Sequence, residues 1–293
     1  MFPFYFILKN VPPILMIYIM NKLKKIKDFN SAAEHYDQDA IMQTIIAEEL
    51  IERLNYIKIN PNRILDIGSA TGKNSILLEK IFPEADIYEL DFSLDMLRVS
   101  MNKRTSFKKL FSSKKRYFVN ADMDELPFNG NTFDLIISSN SIQWSENVNQ
   151  LFKNINNLLT IDGLFLFSSF LKNTLIELQH FNDNELTQNF LTIQEYAEIL
   201  NNNNFYDPVL IRDEYQNEYD DALSALRDLK KIGVTKSEDS HKSLRGKNYL
   251  LKLIDHLDQF KKNNKNILSY EVILGHAWKI RNAEEHVIRF KKQ

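Results

Sequence analysis

In residues 63–72 the types and spacing of the side chains give the clearest indication of chemistry in this chain. An apolar segment that holds Asp66 runs into a short turn bearing Gly68 and Gly72. Glycine allows the backbone of such a turn to approach a ligand where a side chain would block it. Nineteen residues beyond Gly72 a second apolar segment ends at Asp91, a position from which an acid binds ribose hydroxyls. The unit indicates the nucleoside-binding half of a Rossmann-like sheet, and its spacing leaves the nucleoside open.

Alternating segments place this turn inside a parallel sheet. Apolar runs predict five strands, near residues 63–67, 86–90, 116–120, 133–139 and 163–169. Helical patterns separate them at about 72–82, 93–103 and 147–159. The Asp162-Gly163 pair predicts the turn that ends the third helix and starts the fifth strand. Strands that alternate with helices of this length indicate a parallel sheet with right-handed crossovers.

The pattern changes after residue 170. Helical patterns occupy 174–186, 192–201 and 221–262, strand patterns occupy 208–216 and 267–278, and Asn201–Asn204 is predicted to be a loop. We therefore expect an α/β, Rossmann-like fold with a mostly parallel seven-stranded sheet flanked by helices. Residues 26–280 should form one domain with lid helices at 28–55 and 170–262, between an N-terminal extension at 1–25 and a C-terminal tail at 281–293.

Composition limits the class of protein. The chain has 293 residues, 44% hydrophobic and 26% charged, as in ordinary soluble globular proteins. A net charge of −2 gives no overall field that would attract nucleic acid. The absence of cysteine excludes disulfides, thiolate zinc sites and cysteine nucleophiles, and it suits the cytoplasm. We also find no Ser-His-Asp order and no metal-ligand cluster, so we expect no metal.

The N-terminal segment, residues 1–20, is apolar but is interrupted by Lys9, Pro12 and Pro13. A membrane helix needs about 20 apolar residues with few interruptions, and a signal peptide needs an early basic region and a small-residue cleavage site. We interpret the segment as a non-native extension, with Met20 as the start. A weak membrane anchor and an ordered packing arm are the alternatives.

Four motifs resemble those of the class I S-adenosylmethionine-dependent methyltransferases. They are Asp66 with the turn 68–72, then Asp91-Phe92-Ser93, then Asn120-Ala121-Asp122-Met123, and finally the strand and strand end at 133–140. The resemblance covers about 63–169 and implies S-adenosyl-L-methionine as cofactor. It implies that Asp91 binds the ribose, that Asp122 accepts from the adenine amine and that Met123 packs on the ring. Ala70 departs from the commonest pattern, and its methyl group is expected to crowd the cofactor.

The residues that the resemblance assigns to the cofactor come from the lid and from the ends of the strands. They are Tyr36, Gln43, Asp66, Gly68, Ser69, Ala70, Gly72, Asp91, Phe92, Asp122, Met123 and Asn140. The same resemblance places Asn140, Gln143 and Trp144, after the fourth strand, at the methyl-transfer site.

Flanking segments narrow the substrate class. They are 29–37 with Ala40 and Gln43, then 139–144, 174–178, 226–233 and 269–278. Together they resemble the malonyl-[acyl-carrier protein] O-methyltransferases of biotin synthesis, over about residues 26–279. The resemblance implies methylation of the free carboxylate of a malonyl thioester on acyl-carrier protein, with malonyl-CoA as the open alternative. A carboxylate is already a nucleophile, so no general base is expected.

Acyl-carrier proteins are acidic, so the partner surface should be basic. Arg227, Lys230 and Lys231 lie within one helical turn and are the first candidates. A second basic group comprises Lys108, Lys109, Lys114, Lys115 and Arg116. We expect a monomer with no nucleic-acid or membrane partner.

Three other functions remain open at this stage. One is a different methyltransferase of the superfamily, including a relative similar to the complex I assembly factor that hydroxylates a protein arginine. The second is a non-catalytic assembly protein, for which Ala70 is the one supporting feature. The third is a nicotinamide-dependent dehydrogenase.

Overall fold

A single seven-stranded sheet organises the computed structural model, which describes residues 26–103, 115–179, 181, 190–231 and 247–279. The predictions for 1–25 and 281–293 lie outside the described residues. The strands are β1 (Arg63–Ile67), β2 (Asp86–Asp91), β3 (Arg116–Asn120), β4 (Phe133–Ser138), β5 (Leu159–Phe170), β6 (Phe205–Tyr219) and β7 (Asn266–Lys279).

The strand order is β3-β2-β1-β4-β5-β7-β6. Strands β1 to β5 pair in parallel, and β7 is antiparallel to both β5 and β6. The order reverses between β1 and β4, and in parallel α/β sheets the crevice beyond the carboxyl ends at such a point is where ligands bind. The predicted mostly parallel, seven-stranded Rossmann-like sheet is confirmed.

Helices cover both faces of the sheet. Residues 26–32 are helical, and they are followed by α1 (Tyr36–Asp39), α2 (Ile41–Glu52), α3 (Lys73–Ile81), α4 (Leu94–Lys103), α5 (Val148–Leu158), α6 (Ile176–Gln179), α7 (Ile193–Asn202), α8 (Ala222–Lys231) and α9 (Lys247–Asp258), with 3-10 turns at Arg53–Asn55 and Ile142–Trp144. No helix in the described ranges is long and apolar enough to cross a membrane.

The apolar runs of the central strands are explained by burial on both faces. Along β5, Leu164 and Leu166 pack in one core cluster, while Phe165 and Phe167 pack in the other. All four side chains are fully buried. Because successive residues of a strand point to opposite faces, a strand covered on both sides is apolar at every position.

Several boundaries differ from the predictions, among them that of the strand predicted at 208–216, which runs over Phe205–Tyr219. Helix α5 ends at Leu158 and β5 begins at the next residue. The Asp162-Gly163 turn therefore lies inside β5, where the pairing with β4 is irregular and Asp162 has φ 62°. The loop predicted at Asn201–Asn204 starts late, since α7 continues to Asn202 before Asn204 leaves it at φ 57°. The helix predicted over 221–262 is two helices, α8 and α9, and residues 232–246 between them lie outside the described part.

Candidate functional site

The loop between β1 and α3 turns through three residues with positive φ. The angles are 70° at Gly68, 45° at Ala70 and 77° at Gly72. A Cβ at Gly68 would overlap the side chain of Ser141, and one at Gly72 would lie 2.7 Å from a guanidinium nitrogen of Arg116. The close backbone approach expected of this turn is therefore made, at both glycines, to other parts of the protein.

Asp91, at the end of β2, joins this loop to the next one. Its Oδ2 accepts from the Ala70 amide at 2.8 Å and its Oδ1 accepts from the Ser93 amide at 2.8 Å. Burial raises the pKa of Asp91 to about 6, although both backbone hydrogen bonds act in the opposite direction. Each carboxylate oxygen has a second lone pair, so the predicted ribose contact is compatible with this arrangement.

Asp66 lies beneath the loop and does not line the cavity described below. It is fully buried and accepts from Ser75 Oγ at 3.1 Å and from Asn74 Nδ2 at 3.4 Å, both in the first turn of α3. Burial, with a smaller contribution from Glu89, raises the pKa of Asp66 to about 7. In this structure Asp66 therefore supports the start of α3.

The segment after β3 places its two predicted residues differently. Met123 is buried and lines the cavity. Asp122 is absent from the lining, and its Oδ1 accepts from the Asp124 amide at 2.9 Å. Asp124 in turn accepts from Ser145 Oγ at 2.5 Å, which ties this segment to the segment after β4. The adenine contact of Asp122 stays a prediction.

Asn140, Gln143 and Trp144 follow β4. Asn140 has φ 52°, and its Nδ2 donates to the Gln43 carbonyl of α2 at 3.1 Å. Trp144 lines the cavity, whereas Gln143 is turned away from it and bonds to Ser169 and to the Asn140 carbonyl. The structure thus brings Asn140 and Trp144 to the cavity with Gln143 behind them.

The N-terminal helices cover the cavity from above. Phe29 packs edge-on against Phe92 and Trp144, with ring centroids 5.3 Å and 5.7 Å away. Asn30 Oδ1 accepts from Ser93 Oγ at 2.6 Å. These contacts attach the helical residues 26–32 to the ends of β2 and β4, where the sequence predicts a lid.

Asp37 forms the second attachment of this lid. It accepts from Thr71 Oγ1 at 2.5 Å and forms an ion pair with Lys103. Lys103 also donates to the Thr71 carbonyl at 3.0 Å. Burial raises the pKa of Asp37, but the hydrogen bonds from Lys103 and Thr71 outweigh it and the net direction is downward. The lid is therefore held to the loop after β1 by a hydrogen bond and to α4 by an ion pair.

The cavity lies at the carboxyl ends of β1, β2 and β4, and the centre of a water molecule can occupy about 80 Å³ of it. Its lining residues are Phe29, Tyr36, Asp37, Ala40, Gln43, Thr44, Ala47, Gly68, Ser69, Ala70, Thr71, Lys73, Asn74, Asp91, Phe92, Met96, Met123, Ser139, Asn140, Ser141 and Trp144. Nine of the cofactor residues predicted above are in this set, and Asp66, Gly72 and Asp122 are not.

Two polar atoms show that the site suits a polar ligand. Ser69 Oγ and Asn140 Oδ1 are buried and have no hydrogen-bond partner among the described residues. Such atoms are costly unless a ligand or water completes them. Together with the Asp91 carboxylate and the apolar walls at Phe92 and Met123, they fit a molecule that combines an amino-acid end, a ribose and a purine ring. S-adenosylmethionine has these parts.

Sequence reasoning missed several residues of the site. Phe29, Asp37, Thr44, Lys73 and Met96 line the cavity but were not assigned a role. Their partners are distant in sequence, as with Lys73 Nζ, which donates to Thr44 Oγ1 at 2.9 Å. No local pattern indicates which lysine or acid of a helix will face such a partner.

The two predicted basic surfaces differ in the structure. Arg227 is exposed on α8, a helix that contacts α1 of the lid. The side chains of Lys230 and Lys231 lie outside the described residues, as do Lys108, Lys109 and Lys114. Arg116 is buried and forms an ion pair with Glu89, so its assignment to the second basic surface is wrong.

Metal-ligand side chains do not converge in the described part of the chain: no three of its His, Cys, Asp or Glu residues are placed to hold an ion.

Comparison with known proteins agrees with the fold. A family model described as a methyltransferase domain matches residues 65–167, from β1 to β5. The YcgJ protein of Bacillus subtilis has a similar structure, with a TM-score of 0.58 and 16% identity over 80% of this chain and 100% of that chain. A putative methyltransferase of Haloferax volcanii, solved with its Trm112 activator, gives a TM-score of 0.54 and 12% identity over 86% of this chain and 98% of its own.

The fold and the site define a class I, Rossmann-like methyltransferase, and S-adenosylmethionine is the methyl donor of this class. The malonyl-[acyl-carrier protein] O-methyltransferase of Methylovorus sp. (strain MP688) is 32% identical over 267 residues, covering 89% of this chain and 90% of that protein. The protein of the same name from Nitrosospira multiformis is 31% identical, with coverage of 89% and 90%. The chain belongs to the malonyl-[acyl-carrier protein] O-methyltransferase family.

Proposed function

We propose that the protein transfers a methyl group from S-adenosylmethionine to the free carboxylate of a malonyl thioester on acyl-carrier protein. The product is the methyl ester that enters biotin (pimeloyl) synthesis. The observation that carries the proposal is the match to relatives of this name over 89% of the chain. The matched length extends far beyond the methyltransferase domain at 65–167.

The chemistry requires alignment rather than acid–base catalysis. When bound, S-adenosylmethionine supplies a methyl group on a positively charged sulfur. A carboxylate oxygen of the malonyl group forms a bond to the methyl carbon while the carbon–sulfur bond breaks, so no proton is transferred. The step therefore gains its rate mainly from holding the reacting atoms in line.

The walls of the cavity suit a reaction that neutralises charge. An anion and a cation combine into two neutral products, so opposite charges disappear as the transition state forms. Water stabilises separated charges, and surroundings that exclude it favour their neutralisation. The aromatic side chains of Phe29, Phe92 and Trp144 supply such surroundings.

The lid contacts close this site. The Asp37 ion pair with Lys103 and the Asn30 bond to Ser93 hold the N-terminal helices over the cavity. These contacts would have to break for the helices to move away from the cavity. We infer that the lid opens to admit the cofactor and closes before methyl transfer, which fits the use of lids to exclude water.

Lys73 is the cationic residue within the described lining of the cavity. It lies in the first turn of α3, and Thr44 Oγ1 accepts one of its hydrogen bonds at 2.9 Å. An ammonium group has three donors, so Lys73 can also bind a carboxylate. Both the malonyl group and the amino-acid end of the cofactor carry one.

Arg227 supports a docking position for the carrier protein. It is exposed on α8, a helix that contacts the lid helix α1, so a partner bound there would lie close to the lid. We propose that Arg227 binds the acidic carrier protein together with Lys230 and Lys231. We further propose a cytoplasmic monomer that binds neither nucleic acid nor membrane, a state that light scattering on the purified chain can check.

Mass spectrometry of malonyl-acyl-carrier protein after incubation with the protein and S-adenosylmethionine tests the function. A gain of one methyl group on the malonyl form, and none on acetyl-acyl-carrier protein, is expected because acetyl lacks the free carboxylate. Malonyl-CoA in parallel shows whether the carrier protein is required. No gain on either malonyl thioester, with the cofactor bound, would refute the proposal.

A further inference from the structure

A row of hydrogen bonds connects α7 with the loop that follows β4. Tyr196 Oη donates to Ser169 Oγ at 2.8 Å, and Ser169 Oγ donates to Gln143 Oε1 at 3.0 Å. Gln143 Nε2 then donates to the Asn140 carbonyl at 2.7 Å. All three bonds run in one direction: Ser169 and Gln143 each accept from the group before them and donate to the group after them.

The first two members of this row are deeply buried. Tyr196 is 1% exposed and Ser169 is fully buried. Burial raises the pKa of the Tyr196 phenol, so the phenol keeps its proton and remains a donor. Gln143 has one orientation that satisfies both neighbours, because its oxygen must accept from Ser169 and its nitrogen must donate to Asn140.

Asn140 is the residue at the end of the row, and the protein constrains it on several sides. Its backbone has φ 52°, in the left-handed region that asparagine adopts more readily than most residues other than glycine. Its amide nitrogen donates to Ser168 Oγ at 3.0 Å, and its Nδ2 donates to Ser139 Oγ and the Gln43 carbonyl, each at 3.1 Å. The side-chain donors are thus used within the protein, and Oδ1 has no partner in the described part of the chain.

Packing does not account for the Tyr196 hydroxyl. The ring lies in an aromatic cluster with Phe152 and Phe167, at centroid distances of 6.1 Å and 5.7 Å. A phenylalanine would fill the same space. The hydroxyl adds the bond to Ser169 and so the link to the loop after β4.

We propose that Tyr196 and Ser169 are positioning residues for methyl transfer, acting through Gln143 to hold Asn140 in place at the cavity. The inference rests on the proposed function for the reaction that Asn140 serves. It gives α7, which lies outside the matched methyltransferase domain at 65–167, a defined connection to the methyl-transfer site.

Tyr196→Phe is the first test because it removes the hydroxyl and leaves the ring. One net hydrogen bond corresponds to a change of roughly two- to tenfold, so kcat for malonyl-acyl-carrier protein should fall by that factor. Tyr117→Phe is the matched control, since Tyr117 lies on the edge strand β3 and its hydroxyl bonds to Tyr88 of β2, on strands away from the loop after β4. Equal kcat in both variants and wild type would overturn the proposal.

A double-mutant cycle separates positioning from general stability. Gln143→Leu breaks the row at its centre, so adding Tyr196→Phe to it should lower kcat by less than about twofold. If the two effects multiply, the hydroxyl does not act through Gln143 and the proposal fails. Tm values of all variants show whether a loss of stability alone explains the rates.

Hydrogen exchange tests the row even if malonyl-acyl-carrier protein is not the substrate. Tyr196→Phe should speed exchange of the Asn140–Trp144 amides relative to Tyr117→Phe, because the loop loses a fixed partner. If the wild-type protein is inactive but the variant shows this change in exchange, the proposed function is refuted and the positioning of the loop by Tyr196 is supported. If the wild-type protein is active but exchange is unchanged in Tyr196→Phe, only the positioning role of Tyr196 is refuted.

Discussion

The amide nitrogen of Ala70 donates a hydrogen bond to Asp91 Oδ2 at 2.8 Å. This bond connects the loop after β1 to the end of β2 and holds Ala70 at φ 45°. The carboxylate that the sequence predicts to bind ribose therefore also shapes the neighbouring turn. Truncation of the Asp91 side chain would therefore remove both the predicted ribose contact and the bond that shapes the turn.

Ala70→Gly should stabilise the protein and bind S-adenosylmethionine at least as well as wild type. A left-handed conformation costs an L-residue about 1–2 kcal/mol in the folded protein. Glycine removes that cost, but it also lowers stability by about 0.4–1 kcal/mol because it gives the unfolded chain more conformational freedom. We expect a net gain of about 0.5–1 kcal/mol in the free energy of unfolding, measured by urea denaturation.

Ala197→Gly is the control for this change. Ala197 lies inside α7, where glycine costs roughly 0.5–1 kcal/mol, so the two substitutions should have opposite signs. A clear loss of cofactor affinity in Ala70→Gly would show that the Ala70 methyl group packs usefully, against our expectation of crowding.

Asp91→Ala should weaken S-adenosylmethionine binding by about 1–3 kcal/mol, measured by calorimetry, because ribose and the Ala70 amide both lose an acceptor. Asp86→Ala is a matched control. Asp86 lies at the opposite end of β2 and also accepts from a backbone amide, that of Lys115, at 3.0 Å. Wild-type affinity in Asp91→Ala would refute the cofactor role.

The buried carboxyl of Asp66 should make stability depend on pH. Its pKa is about 7 in the folded protein and about 4 when unfolded, so the native state holds more protons between these values. The free energy of unfolding should therefore fall as pH rises from 4 to 7, by at most about 1.4 kcal/mol per pH unit from this group. Asp91, with a folded pKa of about 6, acts with the same sign.

Urea denaturation of wild type and Asp66→Asn at pH 5 and pH 7.5 checks this prediction. The variant should lose much of the pH slope, since asparagine does not titrate and can still accept from Ser75. The same slope in both proteins would mean that Asp66 does not carry the effect.

Arg227→Glu should raise the KM for malonyl-acyl-carrier protein and weaken its dependence on salt, because the carrier is acidic and charge attraction guides its binding. Lys153→Glu is the control, since Lys153 is an exposed cation on α5, away from the lid. Steady-state kinetics at two ionic strengths measure both variants. An unchanged KM in Arg227→Glu would remove this helix from the docking surface.

Local patterns predicted the elements that hold the cavity. Strand β3 has its predicted bounds, Arg116–Asn120, because an apolar run between polar segments has few alternative conformations. The same local signals failed for Asp162, whose turn lies within β5, since pairing with a neighbouring strand decided where the helix ended. Arg116 read as surface charge, yet its ion pair with Glu89 on the neighbouring strand buries it.

The sequence by itself determined the order of strands and helices, the glycine turn and the acid at the end of β2. These features depend on neighbours within a few residues, where periodicity and backbone freedom act directly. Tertiary structure decided which side chains meet: Phe29 on Phe92, Lys73 on Thr44, and Tyr196 on Ser169. Such pairs depend on how the chain packs across the sheet, because a single donor or ring fits many partners until folding brings one of them within reach.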